Sequence, residues 1–278
     1  MEKFYIITNY TKDEDYVITT RIKECIESYG KTCVLCEKDD YENLKEETIP
    51  GDIDCALVIG GDGTFIQASR KLFGLDVPML GINMGTLGYL TEVEVQNVEA
   101  AIRQLMEGDY TIENRMMLYG SVAYKNIRDV ALNDIVVTRS GHMKIIHFNL
   151  YVNGEFLNSY KADGLIVSTP TGSTAYNLSA GGPIVEPTAT LMVVTPICSH
   201  ALNSSSIVFS GQDEIVIEIG ARRDNQIEEA AIIFDGSDEI PLRTGDRMRI
   251  KKAWETAKII KLSKISFLET LREKMKGN

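Results

Sequence analysis

The sequence predicts an α/β N-terminal domain with a parallel sheet, followed by a β-rich C-terminal domain that is antiparallel and sandwich-like. Three observations carry that prediction. The first third of the chain alternates short apolar runs with amphipathic stretches at helical spacing. Beyond about residue 110 the runs become strand-length and alternate apolar with polar residues. An Asn153-Gly154 pair between two of these runs is a strong hairpin signal. The expected division is residues 1–108, joined by a returning helix over 263–278, and residues 109–262.

In chain order, residues 4–8 form an apolar strand. Val17, Ile18, Ile22, Cys25, Ile26 and Tyr29 then make a helical stripe that Gly30 closes. Residues 33–36 read as a second strand, and the charged stretch 38–48 as an exposed loop or short helix. Strands at 55–59 and 79–83 and helices at 65–73 and 95–106 complete a repeated β-α-β order, which builds a parallel sheet covered by helices. The later strands are MMLYGSVAY, VALNDIVVTR, KIIHFNLYV, FLNSYK, EIVIEIG and AAIIF. Residues 265–275 turn helical again, suited to packing back on the first domain.

The bulk composition excludes several classes. With 278 residues the chain buries a sizeable core without staples. Its 44% apolar and 25% charged content is that of a soluble globular protein, and no apolar run is long enough to span a membrane. The start, MEKFYIITNY, enters a strand-like run without the regions of a signal peptide, so a cytoplasmic protein is expected. The five cysteines are scattered, and Cys33 and Cys36 lack the second pair a zinc site needs. His142, His147 and His200 have no paired acids or thiols and read as structural. A net charge of −11 argues against a nucleic-acid surface but not against a small anion, which backbone N–H groups and a cation can hold.

The chemistry concentrates in glycine- and hydroxyl-rich turns. VIGGDGTF, residues 58–65, is an apolar strand that ends in a tight turn before a helix, a geometry that binds phosphate. Gly60, Gly61, Gly63 and Thr64 suit that use. Neither the dehydrogenase glycine fingerprint nor a Walker loop fits. Asp62 is either a helix cap or a carboxylate that meets a metal or an attacking hydroxyl. GINMGTLGYL repeats the idea after another parallel strand, where such sheets bind ligands. In KADGLIVSTPTGSTAYNLSAGGP, hydroxyl side chains crowd around glycines and prolines, and with Tyr176 and Asn133 they suit a purine and ribose edge. Asn133-Asp134 interrupts a strand, either as a bulge or as a carboxylate for ribose hydroxyls.

These stretches, with TPICSH and FDG, stand in the order found in the NAD kinases, and from about residue 55 to 250 the chain closely resembles that family. GGDGT alone is shared with lipid kinases; the DGLIVSTPTGSTAY run is far more specific. The resemblance implies an ATP-dependent NAD kinase that makes NADP by phosphorylating the 2′-hydroxyl of the adenosine ribose of NAD. It implies ATP as donor, a divalent metal (Mg²⁺ or Mn²⁺) without fixed protein ligands, an active site between two domains, and a homodimer or homotetramer. By motif, Asp62 would be the catalytic base or hydroxyl orienter, and Gly61, Gly63 and Thr64 would frame phosphates. Asn133 would meet adenine and Asp134 the ribose hydroxyls. Thr171, Thr174, Ala175 and Tyr176 would line the adenine and ribose pocket, Asp163 would contact the nicotinamide end, and Tyr89 would close over the base.

The chain departs from the family pattern in three places. Asp134 stands where many members carry glutamate, and Lys161 where many bacterial members carry arginine and others glycine. The latter leaves the choice between NAD and NADH open. Ser205 replaces an arginine of the usual Leu-Ser-x-Arg-Pro run. Two competing expectations are a lipid kinase, against which stands the lack of a basic amphipathic helix, and a dinucleotide-sensing protein that lost turnover with that arginine.

Overall fold

The computed structural model describes residues 1–36, 49–85, 88–141, 145–200, 205–221, 227–263 and 265–276. The expected loop or helix over 38–48 lies outside the described residues, as do His142 and the 202–204 stretch. The chain forms two compact units, Met1–Arg115 with Thr256–Asn278, and Met116–Glu255.

The first unit is built on parallel strands β1 (Lys3–Thr8), β2 (Thr32–Leu35), β3 (Cys55–Gly60) and β4 (Met79–Asn83), ordered β2-β1-β3-β4. All of β3 and β4 is buried, as befits strands covered on both faces. A two-residue strand β5 (Val93–Glu94) pairs with β4. Helix α1 (Val17–Ser28) begins where the Asp13 carboxylate accepts from Ile18 N–H, Thr19 N–H and the Thr19 hydroxyl. Helix α2 runs Asp62–Lys71 and α3 runs Val98–Glu107. Phe4, Ile6, Leu57, Ile59 and Leu80 pack with Ile22 and Ile26 of α1 and with Ile102 and Leu105 of α3. Helix α2 starts three residues before the apolar pattern suggests. Gly61, extended at φ −115° and ψ −173°, is its cap, so part of the glycine turn is already its first turn.

The second unit carries two antiparallel sheets. In chain order its strands are β6 (Thr111–Val122), β7 (Ile127–Ala131), β8 (Asp134–Arg139), β9 (Ile146–Val152), β10 (Glu155–Ala162), β11 (Gly164–Ser168), β12 (Leu191–Ile197), β13 (Ile207–Ser210), β14 (Ile215–Ile219), β15 (Glu229–Phe234), β16 (Ile240–Arg243) and β17 (Arg247–Lys261). One sheet runs β10-β9-β14-β17, with β6 beside β17 and β7 beside β6; the other runs β13-β12-β11-β8-β15-β16. A short helix α4 (Tyr176–Ser179) follows a 3₁₀ turn over Thr171–Thr174. Phe148, Leu150, Ile217 and Met248 of the first sheet share one core with Val137, Leu165, Val167 and Phe234 of the second. Asn153 and Gly154 both take positive φ, 52° and 85°, as a two-residue hairpin turn requires.

One expected strand is split, and β5, β12, β13, β16 and β17 are strands that the sequence reading does not contain. VALNDIVVTR is two strands, broken at residues 132–133, because a side chain rather than the ladder takes the N–H groups there. Strand β17 is hidden in the sequence because its alternation slips at Lys251 and Lys252, which are both exposed. The unit boundaries fall inside β6 and β17, and beyond the boundary Ile259 of β17 lies opposite Met79 of β4. The last helix, α5 (Phe267–Met275), is capped by Ser266, which accepts from Glu269 N–H, and buries none of its residues. Among the described residues no helix is long and apolar enough to cross a membrane.

Candidate active site

The first unit gathers Asp62, the glycine turn and the loop after β4. Asp62 opens α2 but does not cap it, since Gly61 holds the cap position. Its carboxylate reaches across to the second glycine-containing loop. Oδ2 accepts from Tyr89 N–H at 2.7 Å. Oδ1 accepts from Leu90 N–H, Thr91 N–H and the Thr91 hydroxyl at 3.1, 3.2 and 3.1 Å. Gly88 is required by this arrangement, because a Cβ there would collide with the Asp62 carboxylate.

Gly61 and Gly63 leave the backbone open: a Cβ on Gly63 would meet nothing within 4 Å. Thr64 is buried, and its hydroxyl accepts from Asn9 Nδ2 at 3.0 Å. Asn9 also shapes the loop after β1, because its Oδ1 accepts from the Thr11 N–H and hydroxyl. That loop delivers Lys12, whose Nζ stands 3.6 Å from where a Cβ would lie on Gly61 and equally 3.6 Å from one on Gly85. Lys12 makes no ion pair among the described residues. Its ammonium therefore hangs over both glycine loops. Tyr89 sits with its ring 5.3 Å from Lys274 Nζ, and burial, with the Asp62 charge second, raises its hydroxyl above the usual range.

The second unit gathers the dinucleotide candidates. Asp134 begins β8, is 5% exposed, and its carboxylate accepts no hydrogen bond among the described residues. Burial, with the Asp235 charge second, pushes its pKa up to about 7. Asp235 takes three consecutive N–H groups: Leu132 on Oδ2 at 2.7 Å, and Asn133 and Asp134 on Oδ1 at 2.7 and 3.0 Å. The Thr169 hydroxyl donates to Leu132 C=O at 2.6 Å, and its N–H donates to Asn133 C=O at 2.8 Å. Gly172 packs so closely on Asn133 that a Cβ would strike its carbonyl.

Thr171 is buried, and its carbonyl accepts from the Thr174 hydroxyl at 3.4 Å. Ala175 bends the chain at φ −95° and ψ −128° into Tyr176, which is 46% exposed. Burial raises the Tyr176 hydroxyl above its usual range, with the Cys198, Asp134 and Asp163 charges adding to the rise. Asp163 accepts from Arg139 Nε at 2.8 Å. Lys161 is exposed on β10, and its side chain has no partner among the described residues. Buried Asn177 ties the loop down, donating to Ser173 and Pro183 carbonyls at 3.0 Å and accepting from the Thr195 hydroxyl at 2.7 Å.

The structure thus groups Asp62 with Gly61, Gly63, Thr64 and Tyr89, and holds Asn133 and Asp134 against the 169–172 turn that leads into Tyr176, while Asp163 stands at the far end of β11 beside Arg139. It adds four residues that sequence reasoning missed: Lys12, Arg139, Asn177 and Asp235. Asn177 and Asp235 stand inside stretches that carry the family resemblance, the hydroxyl-rich run and FDG, but neither stretch says what these side chains hold. Asp62 Oδ1 takes three hydrogen bonds from the loop and Oδ2 one, and among the described residues no group of three or more His, Cys, Asp or Glu is placed to hold a metal ion.

A parallel α/β unit with glycine turns after its strands, followed by an antiparallel β unit, is an architecture suited to binding nucleotides at the carboxyl ends of its parallel strands. The chain resembles a yeast NADH kinase crystallised with NADH at a TM-score of 0.85, with 22% identity, covering 100% of this chain and 88% of that one. It resembles an NAD kinase from Archaeoglobus fulgidus in complex with ATP at a TM-score of 0.77, with 26% identity and 94% of each chain covered. Residues 6–110 match the model of the ATP-NAD kinase N-terminal domain, and residues 132–262 that of the C-terminal domain. An NAD kinase of Lachnospira eligens is 45% identical over 296 residues, covering 99% of this chain and 100% of the relative. One of Agathobacter rectalis is 47% identical over 282 residues, covering 100% and 99%. The chain belongs to the NAD kinase family, a family of ATP-dependent NAD kinases.

Proposed function

We propose that the chain transfers the γ-phosphoryl group of ATP to the 2′-hydroxyl of the adenosine ribose of NAD, giving NADP. The observation that carries this reading is Asp134: a carboxylate 5% exposed, raised to about 7, with no hydrogen-bond donor among the described residues. Such a group is costly unless a ligand supplies donors, and a ribose supplies two hydroxyls at the right spacing. Asn133, adjacent and held in the same backbone clamp, takes the adenine edge. Thr171, Thr174, Ala175 and Tyr176 form the pocket wall, and Asp163 and Lys161 lie toward the nicotinamide end.

ATP phosphates lie on the turn of Gly61, Gly63 and Thr64, where the start of α2 and the Lys12 ammonium offset their charge in a protein of net charge −11. Mg²⁺ or Mn²⁺ arrives with the triphosphate as part of the substrate. Asp62 acts as an orienter of the 2′-hydroxyl. Oδ2 carries only one of its four hydrogen bonds and keeps a lone pair for a hydroxyl donor. A loose phosphoryl-transfer transition state asks for alignment more than proton abstraction. Tyr89, fixed through its N–H by the same carboxylate, closes over the base.

A coupled assay for NADP, with ATP and Mg²⁺ present, tests the reading. The wild type should form NADP, and Asp62→Asn should lose at least about 10²-fold in turnover while still binding NAD. No NADP from the wild type, or a variant at the wild-type rate, refutes the assignment. Sphingosine and diacylglycerol as acceptors should give no product.

A further inference from the structure

We propose that Asp235 is the positioning residue of the NAD-binding half of the protein, and that its carboxylate fixes Asn133 and Asp134 by gripping the backbone that carries them. This rests on the reading of Asn133 and Asp134 as the residues that meet adenosine. Asp235 lies in a Phe234–Ser237 turn closed by a Ser237 N–H to Phe234 C=O bond of 2.9 Å. Asp235 and Gly236 both take positive φ, 50° and 71°. An Asp-Gly pair at the centre of such a hairpin turn needs no further reason. The Asp235 side chain does more than the turn requires. Its two oxygens accept from Leu132, Asn133 and Asp134 at 2.7, 2.7 and 3.0 Å, across about a hundred residues of chain. Asp235 N–H also donates to Asp134 C=O at 3.0 Å, so the two segments are bound in both directions.

The opposite side of the same peptides is equally fixed. Thr169 donates to the carbonyls of Leu132 and Asn133, and the Thr169 hydroxyl accepts in turn from Gly172 N–H at 3.0 Å. With backbone donors and acceptors all engaged at this point, the backbone that carries Asn133 and Asp134 is fixed, and binding adenosine orders only their side chains. The carboxylate also acts through space. Asp235 places a second negative charge beside the buried Asp134, and the Asp134 charge in turn helps raise the Tyr176 hydroxyl.

Asp235→Asn separates positioning from turn formation, because Asn-Gly serves the same turn as well as Asp-Gly does and the variant should fold. It keeps one acceptor, loses the charge, and turns an amide donor toward the N–H groups. The expected results are a KM for NAD raised about tenfold, a smaller change in kcat, and a KM for ATP unchanged. The pH at which NAD affinity reaches half its plateau should fall, since one repelling charge is gone. Hydrogen exchange of amides 132–134, measured without NAD, should speed up in the variant.

Unchanged exchange together with unchanged NAD kinetics would reduce Asp235 to a turn residue and overturn the proposal. Faster exchange in the variant, together with a wild type that never responds to NAD, would sink the adenosine reading, and the positioning role with it. A variant with raised KM and an unmoved pH midpoint would remove the electrostatic half of the claim.

Discussion

Replacing Asp134 with asparagine should stabilise the free protein in a pH-dependent way while destroying its affinity for NAD. Asp134 is held at about 7 against an ordinary carboxylate value of 3.8. The folded state therefore holds a proton that the unfolded chain releases. Below the ordinary value both states are protonated and burial of the group costs nothing extra. As pH rises the unfolded chain ionises first and stability falls. Once pH passes the folded value the cost is complete. At about 1.4 kcal/mol per pH unit, that cost is about 1.5 kcal/mol near pH 5 and about 4 kcal/mol near pH 8. Asparagine carries no charge at any pH, so the stability advantage of Asp134→Asn should grow by roughly 2–3 kcal/mol across that window. The single tryptophan, Trp254, lies against Tyr119 in the second unit at a ring distance of 5.2 Å, and its fluorescence reports on the right transition. Urea unfolding at a series of pH values, without NAD, gives the difference directly. An advantage that stays flat with pH would show that Asp134 is not a buried, unpartnered carboxylate, and the ribose assignment would lose its support.

Two further substitutions test the first unit. Lys12→Ala should raise the KM for ATP by about 10–100-fold, the worth of a hydrogen bond to a charged group, with the KM for NAD unchanged and Lys12→Arg recovering part of the loss; steady-state kinetics with each substrate varied decide it. Gly88→Ala should drive the Asp62 carboxylate off the loop, lowering the melting temperature by the equivalent of roughly 3 kcal/mol and reducing turnover. A melt identical to wild type would mean that the Gly88 contact is not a constraint.

The sequence reveals the strands of the first unit because burial on both faces writes them as unbroken apolar runs, as in CALVIG. It reveals the Asn153-Gly154 hairpin because only certain residues tolerate that turn. It conceals β17, where Lys251 and Lys252 break the period-two signal, and the start of α2, where glycines carry little helix propensity. Asn133 and Asp134 are legible as polar residues that interrupt a strand, and Asp62 as a carboxylate set in a glycine turn. What Asp62 touches is not legible, because its partners are backbone N–H groups some thirty residues away, and every residue type has one. Lys12 escapes for a similar reason. A lone lysine in a charged loop looks solvated until the fold sets it beside Gly61 and Gly85.

The division inside β17 has a consequence for biosynthesis. The second unit is one uninterrupted segment, Met116–Glu255, but the first needs Thr256–Asn278. In that late segment Ile259 pairs with Met79, and Leu262 and Ser263 N–H groups donate to Glu92. A ribosome therefore releases every residue of the second unit before the last strand of the first exists. The half made earliest is completed last, and until then the Met79 end of β4 lacks the neighbour that β17 brings.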